Sequence, residues 1–179
     1  MNAVLLQPIF FIVITLSYVI HGHYIIHGHW QKSLVLSKLN FNDAVTYPVP
    51  MFLQKRMQHL QNATAGLVLN HYCSEEDVLK LGWLPTLENT KLNILKLGHR
   101  ALYNYWPEYL TLSRHNPSRT LRSSSTPLLQ ISLLKGTFQD SVANLYNDLP
   151  ASISCITDYH HFVKESAKIL KAKAIMRLA

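Results

Sequence analysis

The sequence predicts a mainly α fold: a small helical domain with at most a short strand or hairpin, preceded by an apolar N-terminal segment. From residue 31 onward, apolar residues recur at spacings of three and four, which lines up one face of a helix. Pro50, Pro107 and Pro150 fall at the edges of these segments, where a helix has to stop or begin. With 179 residues, 48% of them hydrophobic and 15% charged, the chain is long enough to bury one core and too apolar to be wholly disordered.

The elements follow in order. Residues 3–20 of the opening "MNAVLLQPIFFIVITLSYVI" form an uncharged run of the length that just spans a bilayer. Gln7 and Pro8 interrupt it, no basic residue precedes it and no small-x-small cleavage pattern follows, so a secretory or membrane role is the lesser reading. "IHGHYIIHGHW" then brings His21, His23, His27 and His29 close together. Imidazoles are common ligands for zinc or copper, but each His-Gly-His unit contains a flexible glycine and no nearby carboxylate or thiolate completes a shell. No metal is therefore assigned, and these four histidines are the weak candidates.

"SLVLSKLNF" (33–41) is a short apolar run closed by "YPVP" (47–50). In "MFLQKRMQHLQNATAGLVL" (51–69), Leu53, Met57, Leu60, Thr64 and Leu67 define the expected buried stripe, with Lys55, Arg56, Gln58 and His59 mostly off it. Ser74, followed by Glu75, Glu76 and Asp77, suits a helix N-terminus, and Gly82 ends that short helix. In 83–106, Pro85 stands near the start, Thr86 is a candidate N-cap, and Leu92, Leu95, Leu102 and Tyr105 keep near-helical spacing; Gly98 is expected to weaken the middle. "LLQISLL" (128–134) reads as a strand, and 137–150 as a helix facing inward with Phe138, Val142 and Leu145. The last helix is expected to bury Tyr159, Phe162, Val163, Ile169, Leu170, Ala174 and Met176 or Leu178, while Lys164, Lys168, Lys171, Lys173 and Arg177 supply charge.

Lysine and arginine outnumber acids 17 to 10, a net charge of +7 that favours polyanions: nucleic acid or an anionic membrane surface. Cys73 and Cys155 are the only cysteines and form no Cys-x-x-Cys pair, so neither a thiolate-built zinc site nor a disulfide framework is indicated, and a reducing compartment fits best. No phosphate loop, His-Glu-x-x-His run, Gly-x-Ser-x-Gly elbow or EF-hand loop occurs. The ten acids contain no set suited to two-metal nucleotidyl transfer, and nothing orders "DYHH" against the hydroxyls of 123–126 as base and nucleophile.

Five stretches in order, "KSLVLSKLNF", "LQKRMQHLQNATAGLVL", "LGWLPTLENTKLNILKLGHRALYNYWPEYL", "PSRTLRSSSTPLL" and "GTFQDSVANLYNDLP", resemble the C-terminal region of the polymerase polyprotein of animal non-LTR, LINE-type retrotransposons. The likeness covers residues 31–179 and leaves 1–30 outside as an apolar, histidine-rich leader. It rests on Leu60 to Ala63, on Trp83, Leu84 and Pro85, and on the helix holding His99, Arg100, Ala101 and Leu102. It continues through Pro107 to Leu110, Ser118 to Ser124, and Tyr146, Asn147, Leu149 and Pro150. "TLENT" lacks the basic residue usual after Trp-Leu-Pro-x, and the terminal helix drifts into "AKAIMRLA", departures that fit a decaying copy.

The resemblance implies a fragment derived from an RNA-directed DNA polymerase, a reverse transcriptase, from the part downstream of the palm and near the thumb. The catalytic Tyr/Phe-x-Asp-Asp motif and the acidic endonuclease set are absent from this sequence, so the chain is not expected to polymerise DNA by itself. The role it implies is nucleic-acid binding, with RNA or DNA as partner and no cofactor or small-molecule substrate. Lys55, Arg56, Arg100, Arg114, Arg119, Arg122, Lys164, Lys168, Lys171 and Lys173 are the expected phosphate contacts. Arg119 and Arg122 lie in "NPSRTLRSSSTPLLQ", expected to be a connector loop. A cytoplasmic or nuclear location follows. The alternative is a small single-pass membrane or secreted interaction protein, inserted through 3–20, with Asn62-Ala63-Thr64 as a glycosylation sequon.

Overall fold

The computed structural model describes residues 37, 38, 40, 47–103, 112–115 and 128–178. The leader with its four histidines, and Arg119 and Arg122, lie outside the described residues. The described part is helical, with no sheet: α1 (Met51–Leu69), α2 (Glu75–Lys80), α3 (Thr86–Tyr103), α4 (Phe138–Asn147), α5 (Ala151–Ser154) and α6 (Tyr159–Leu178).

α1 starts directly after Pro50, whose carbonyl accepts from Leu53 N at 3.0 Å and Gln54 N at 3.1 Å. It ends where Asn70 takes a left-handed conformation, φ 56°, which a short amide side chain tolerates. Its buried residues are Gln61, Thr64 and Ala65; of the expected stripe Thr64 is buried, Leu53, Met57 and Leu60 are half-buried, and Leu67 is 41% exposed. The inner face is thus turned by roughly 70° toward Gln61 and Ala65. Polar bonds to Leu84, just before α3, and to Thr86, its first residue, accompany the turn: Gln61 Nε2 donates to Leu84 O at 2.8 Å, and Gln58 Oε1 accepts from Thr86 N and Thr86 Oγ1, both at 2.9 Å.

α2 carries the expected cap in full. Ser74 Oγ accepts from Asp77 N at 3.4 Å and Asp77 Oδ2 accepts from Ser74 N at 3.0 Å, so two end donors are satisfied reciprocally. Gly82, at φ 75°, turns the chain out of the helix, with Trp83 N donating back to Val78 O at 3.1 Å. Ala65, Cys73, Val78 and Trp83 close a small core between α1 and α2.

α3 is the central helix. Its C-terminal half meets the start of α6, since His99 stacks on Phe162 at 4.3 Å, and its first turn meets the end of α6, where Arg177 bonds Glu88 at 3.3 Å. The two helices therefore run antiparallel. Leu92, Ile94, Leu95, Val142, Ala143, Tyr146, Phe162 and Leu170 form the middle of the main core. Gly98 has a packing role within it beside its expected cost to the helix. A β-carbon there would lie 2.5 Å from Val142 Cγ1, so the missing side chain is what lets α4 approach α3.

α4 buries Val142 and Tyr146 and half-buries Phe138 and Leu145, close to the predicted face, with Thr137 Oγ1 capping Asp140 N at 3.3 Å. The expected strand at 128–134 is reduced to one antiparallel bridge between Arg114 and Leu129. Asn147 occupies the edge where a longer ladder would continue: its Oδ1 accepts from Leu129 N at 2.8 Å and its Nδ2 donates to Leu129 O at 3.0 Å. Beyond it the run leaves the core, with Leu133 fully exposed. In α6 the buried line is Phe162, Ser166, Leu170 and Ala174. Of the two alternatives Met176 or Leu178, Leu178 continues this four-residue line and is half-buried, whereas Met176 falls off it and is 78% exposed.

Candidate nucleic-acid interface

On α6, His160, Lys164, Lys168 and Lys171 stand at i, i+4, i+8 and i+11, opposite the buried line, and all are exposed. This row extends about 16 Å along the helix. Lys168 pairs with Glu165 at 2.6 Å within the helix, whereas Lys164 and Lys171 have no ion-pair partner among the described residues. Exposed pairs of this kind are weak, so Lys168 remains able to exchange its carboxylate for a phosphate.

The row leads at its N-terminal end into a group of rings and guanidinium groups. Tyr159 packs edge-on to His160 at 5.5 Å and lies beneath Arg100, whose Cζ is 4.5 Å from the ring centre. His99 links Tyr159 at 6.0 Å to Tyr103 at 4.6 Å, and Tyr103 in turn carries Arg114 at 5.5 Å. Lys96, one turn before Arg100, is half-buried; burial and then the nearby guanidinium hold its ammonium below the usual lysine range. Cations and flat rings are thereby joined from α3 to α6.

His99 is the buried centre of this group. One ring nitrogen, Nε2, lies 2.9 Å from Ile156 O, which makes it the donor. The other, Nδ1, is buried without a partner, as is Ser166 Oγ. Burial pushes the His99 pKa down, more than the Ile156 bond raises it, so the ring is neutral and packs as an aromatic.

The remaining expected contacts separate into other roles. Lys173 pairs with Asp148. Arg177 bonds Glu75 and the buried Glu88, tying α6 to the starts of α2 and α3. Lys55 and Arg56 are exposed on α1, and Lys55 lines a cleft with His59, Glu75 and Arg177, apart from the α6 row. Of the expected phosphate contacts, then, Lys164, Lys168 and Lys171 share the outward row of α6, Arg100 and Arg114 stand over tyrosines that meet at the buried His99, and Lys55, Arg56 and Lys173 stand apart. Tyr103, Tyr159 and His160 are the members that sequence reading missed; the signal was "DYHH", an aromatic next to histidine four residues before Lys164.

No family model, curated protein or solved structure matches the chain. Among the described residues no helix is long and apolar enough to cross a membrane; the run at 3–20 lies outside them. Asn62, the sequon asparagine, sits within α1 and accepts from Gln58 Nε2 at 2.9 Å.

One further cluster lies away from the basic band. His71, Cys73 and Asp77 have ligand atoms all within 4.8 Å of one another, at the junction of α1 and α2. The sequence signal was "HYCSEED", overlooked because the cysteines were considered only as partners for each other.

Proposed function

We propose that this chain is a non-catalytic, nucleic-acid-holding helical region derived from the part of a LINE-type reverse transcriptase downstream of the palm. The observation that carries the nucleic-acid reading is the outward row His160, Lys164, Lys168 and Lys171, continued by Arg100 and Arg114 over their tyrosines. Lysines placed one turn apart neutralise successive phosphates and release counterions. Arginines on rings offer guanidinium planes and aromatic faces for unpaired bases. Contacts of this type grip the backbone without reading sequence.

The derivation itself rests on the ordered motif resemblance, and the fold gives its residues structural places. Trp83 closes the small core, and Asn147 fastens Leu129. Those motifs are explained as scaffold, with no reaction required of them.

The test is binding to a generic RNA:DNA hybrid across a salt series. Each engaged phosphate contributes about −0.9 to the slope of log K against log salt. The variant Lys164→Ala/Lys168→Ala/Lys171→Ala is expected to flatten the slope by about 2 to 3 while weakening all hybrid sequences alike. A slope that stays the same in the variant excludes α6 as the contact surface. A flat, micromolar-or-weaker response of the parent chain at low salt excludes nucleic-acid binding altogether.

A further inference from the structure

We propose that His71, Cys73 and Asp77 form a binding site for a divalent zinc-type ion, a function separate from the basic band. Three different donors, an imidazole, a thiol and a carboxylate, have their ligand atoms within 4.8 Å of one another. The Cys73 Sγ to His71 Nε2 separation is 3.8 Å. An ion bound at about 2.3 Å from sulfur and 2.0 Å from nitrogen in tetrahedral geometry needs about 3.5 Å between those two atoms. The pair is therefore already spaced for a shared ion, and the carboxylate has to close in by at most about 1.5 Å.

The histidine is oriented for this role. His71 Nδ1 lies 3.2 Å from Leu69 O, and the proton on Nδ1 that this bond requires leaves Nε2 with its lone pair toward the sulfur. Backbone carbonyls fix metal-bound histidines in the same way. The loop is also held from behind. A β-carbon at Gly66 would lie 2.8 Å from His71 O, so the glycine lets α1 sit directly against the loop. Cys73 is anchored in the small core beside Ala65, Val78 and Trp83.

Asp77 has one oxygen to give. Its Oδ2 is engaged by Ser74 N at 3.0 Å, and its Oδ1 by Lys80 at 2.9 Å. Lys80 is exposed, so the ion displaces it from Oδ1 while the Ser74 bond stays and orients the carboxylate. On binding, the Cys73 thiol gives its proton to the buffer and the sulfur ligates as thiolate. Thiolate and carboxylate then neutralise the dication, the imidazole is neutral, and a water fills the fourth position. Sulfur with nitrogen in a four-coordinate shell selects zinc or cobalt over magnesium or calcium, which take oxygen ligands.

The test uses Co²⁺ as the probe on the full chain, followed by displacement with Zn²⁺. A thiolate-to-cobalt charge-transfer band in the near ultraviolet, with strong tetrahedral visible bands, is expected in Cys155→Ser and absent in Cys73→Ser. His71→Ala is expected to weaken cobalt binding by about a hundredfold or more, the upper end of what even an outer-shell partner is worth. The histidines of 21–29 can bind cobalt but give no thiolate band, so they do not imitate the result. Far-UV circular dichroism on each variant separates loss of ligand from loss of fold, and Asp77→Asn keeps a helix-compatible side chain while removing the charge. The proposal is overturned by a band that survives in Cys73→Ser, by no band in Cys155→Ser, or by His71→Ala binding cobalt as tightly as its parent.

Discussion

Replacing Gly98 by alanine distinguishes a glycine that merely weakens a helix from one that creates a contact. In an exposed helix interior, Gly→Ala stabilises by about 1 kcal/mol. Here the new methyl group would arrive 2.5 Å from Val142 Cγ1 and 3.3 Å from Cγ2, and Val142 is fully buried. Neither neighbour can yield by rotating into solvent, so the overpacking cost of about 1 to 3 kcal/mol applies. The steric term offsets or exceeds the propensity term, and the net expectation is a loss of up to about 2 kcal/mol.

The second arm of the test removes the obstacle. Val142→Ala alone deletes two buried methyl groups and is expected to cost about 1.5 to 2.5 kcal/mol. In Gly98→Ala/Val142→Ala the added methyl enters the space vacated, so the double variant should be more stable than the sum of the single ones by about 1 kcal/mol or more. Urea titration followed by far-UV circular dichroism measures all three. The reasoning fails if Gly98→Ala raises the urea midpoint, or if the two substitutions are additive.

Two further predictions concern side chains that join distant parts of the chain. Asn147→Ala leaves Leu129 N and O without partners and is expected to cost about 2 kcal/mol; amide exchange at Leu129 should accelerate, and unchanged protection there would show that Asn147 is not the clasp. Burial raises the Glu88 pKa, partly offset by Arg177, so the folded state holds that proton more tightly than the unfolded one. Stability from this group is full below its ordinary pKa of about 4.3 and is lost as pH rises through the raised value. Glu88→Gln should remove that pH slope and be neutral or slightly stabilising near pH 7, because Arg177, 43% exposed, still pairs with Glu75. Urea midpoints between pH 4 and 7 that change in parallel for parent and variant would refute it.

What could be read in the sequence was local. The α2 cap lies within four residues, Ser74 to Asp77, and the inward face of α4 repeats at helical spacing, so both were legible. The same holds for the lysines of α6 and for the Lys168–Glu165 pair, three positions apart. What was hidden depends on partners far along the chain. Gly98 looks like a helix breaker until Val142, 44 positions on, is placed against it. Arg177 looks like one more surface cation until Glu75 and Glu88, 102 and 89 positions away, come to it. The α1 face was legible only in part: Thr64 lies on it as expected, but Gln61 turns inward through its bond to Leu84, 23 positions on.

Those last bonds have a consequence for how the domain opens. The first amide of α3 is capped by Gln58, 28 residues earlier, and Thr86 contributes its hydroxyl to the same oxygen. A helix whose end is closed by its own neighbour can form alone; α3 cannot complete its first turn in this way unless α1 is docked. α1 and the start of α3 should therefore come apart as one cooperative unit, with their amides exchanging at a common free energy. The glutamine makes the two helices a single folding event through one polar side chain.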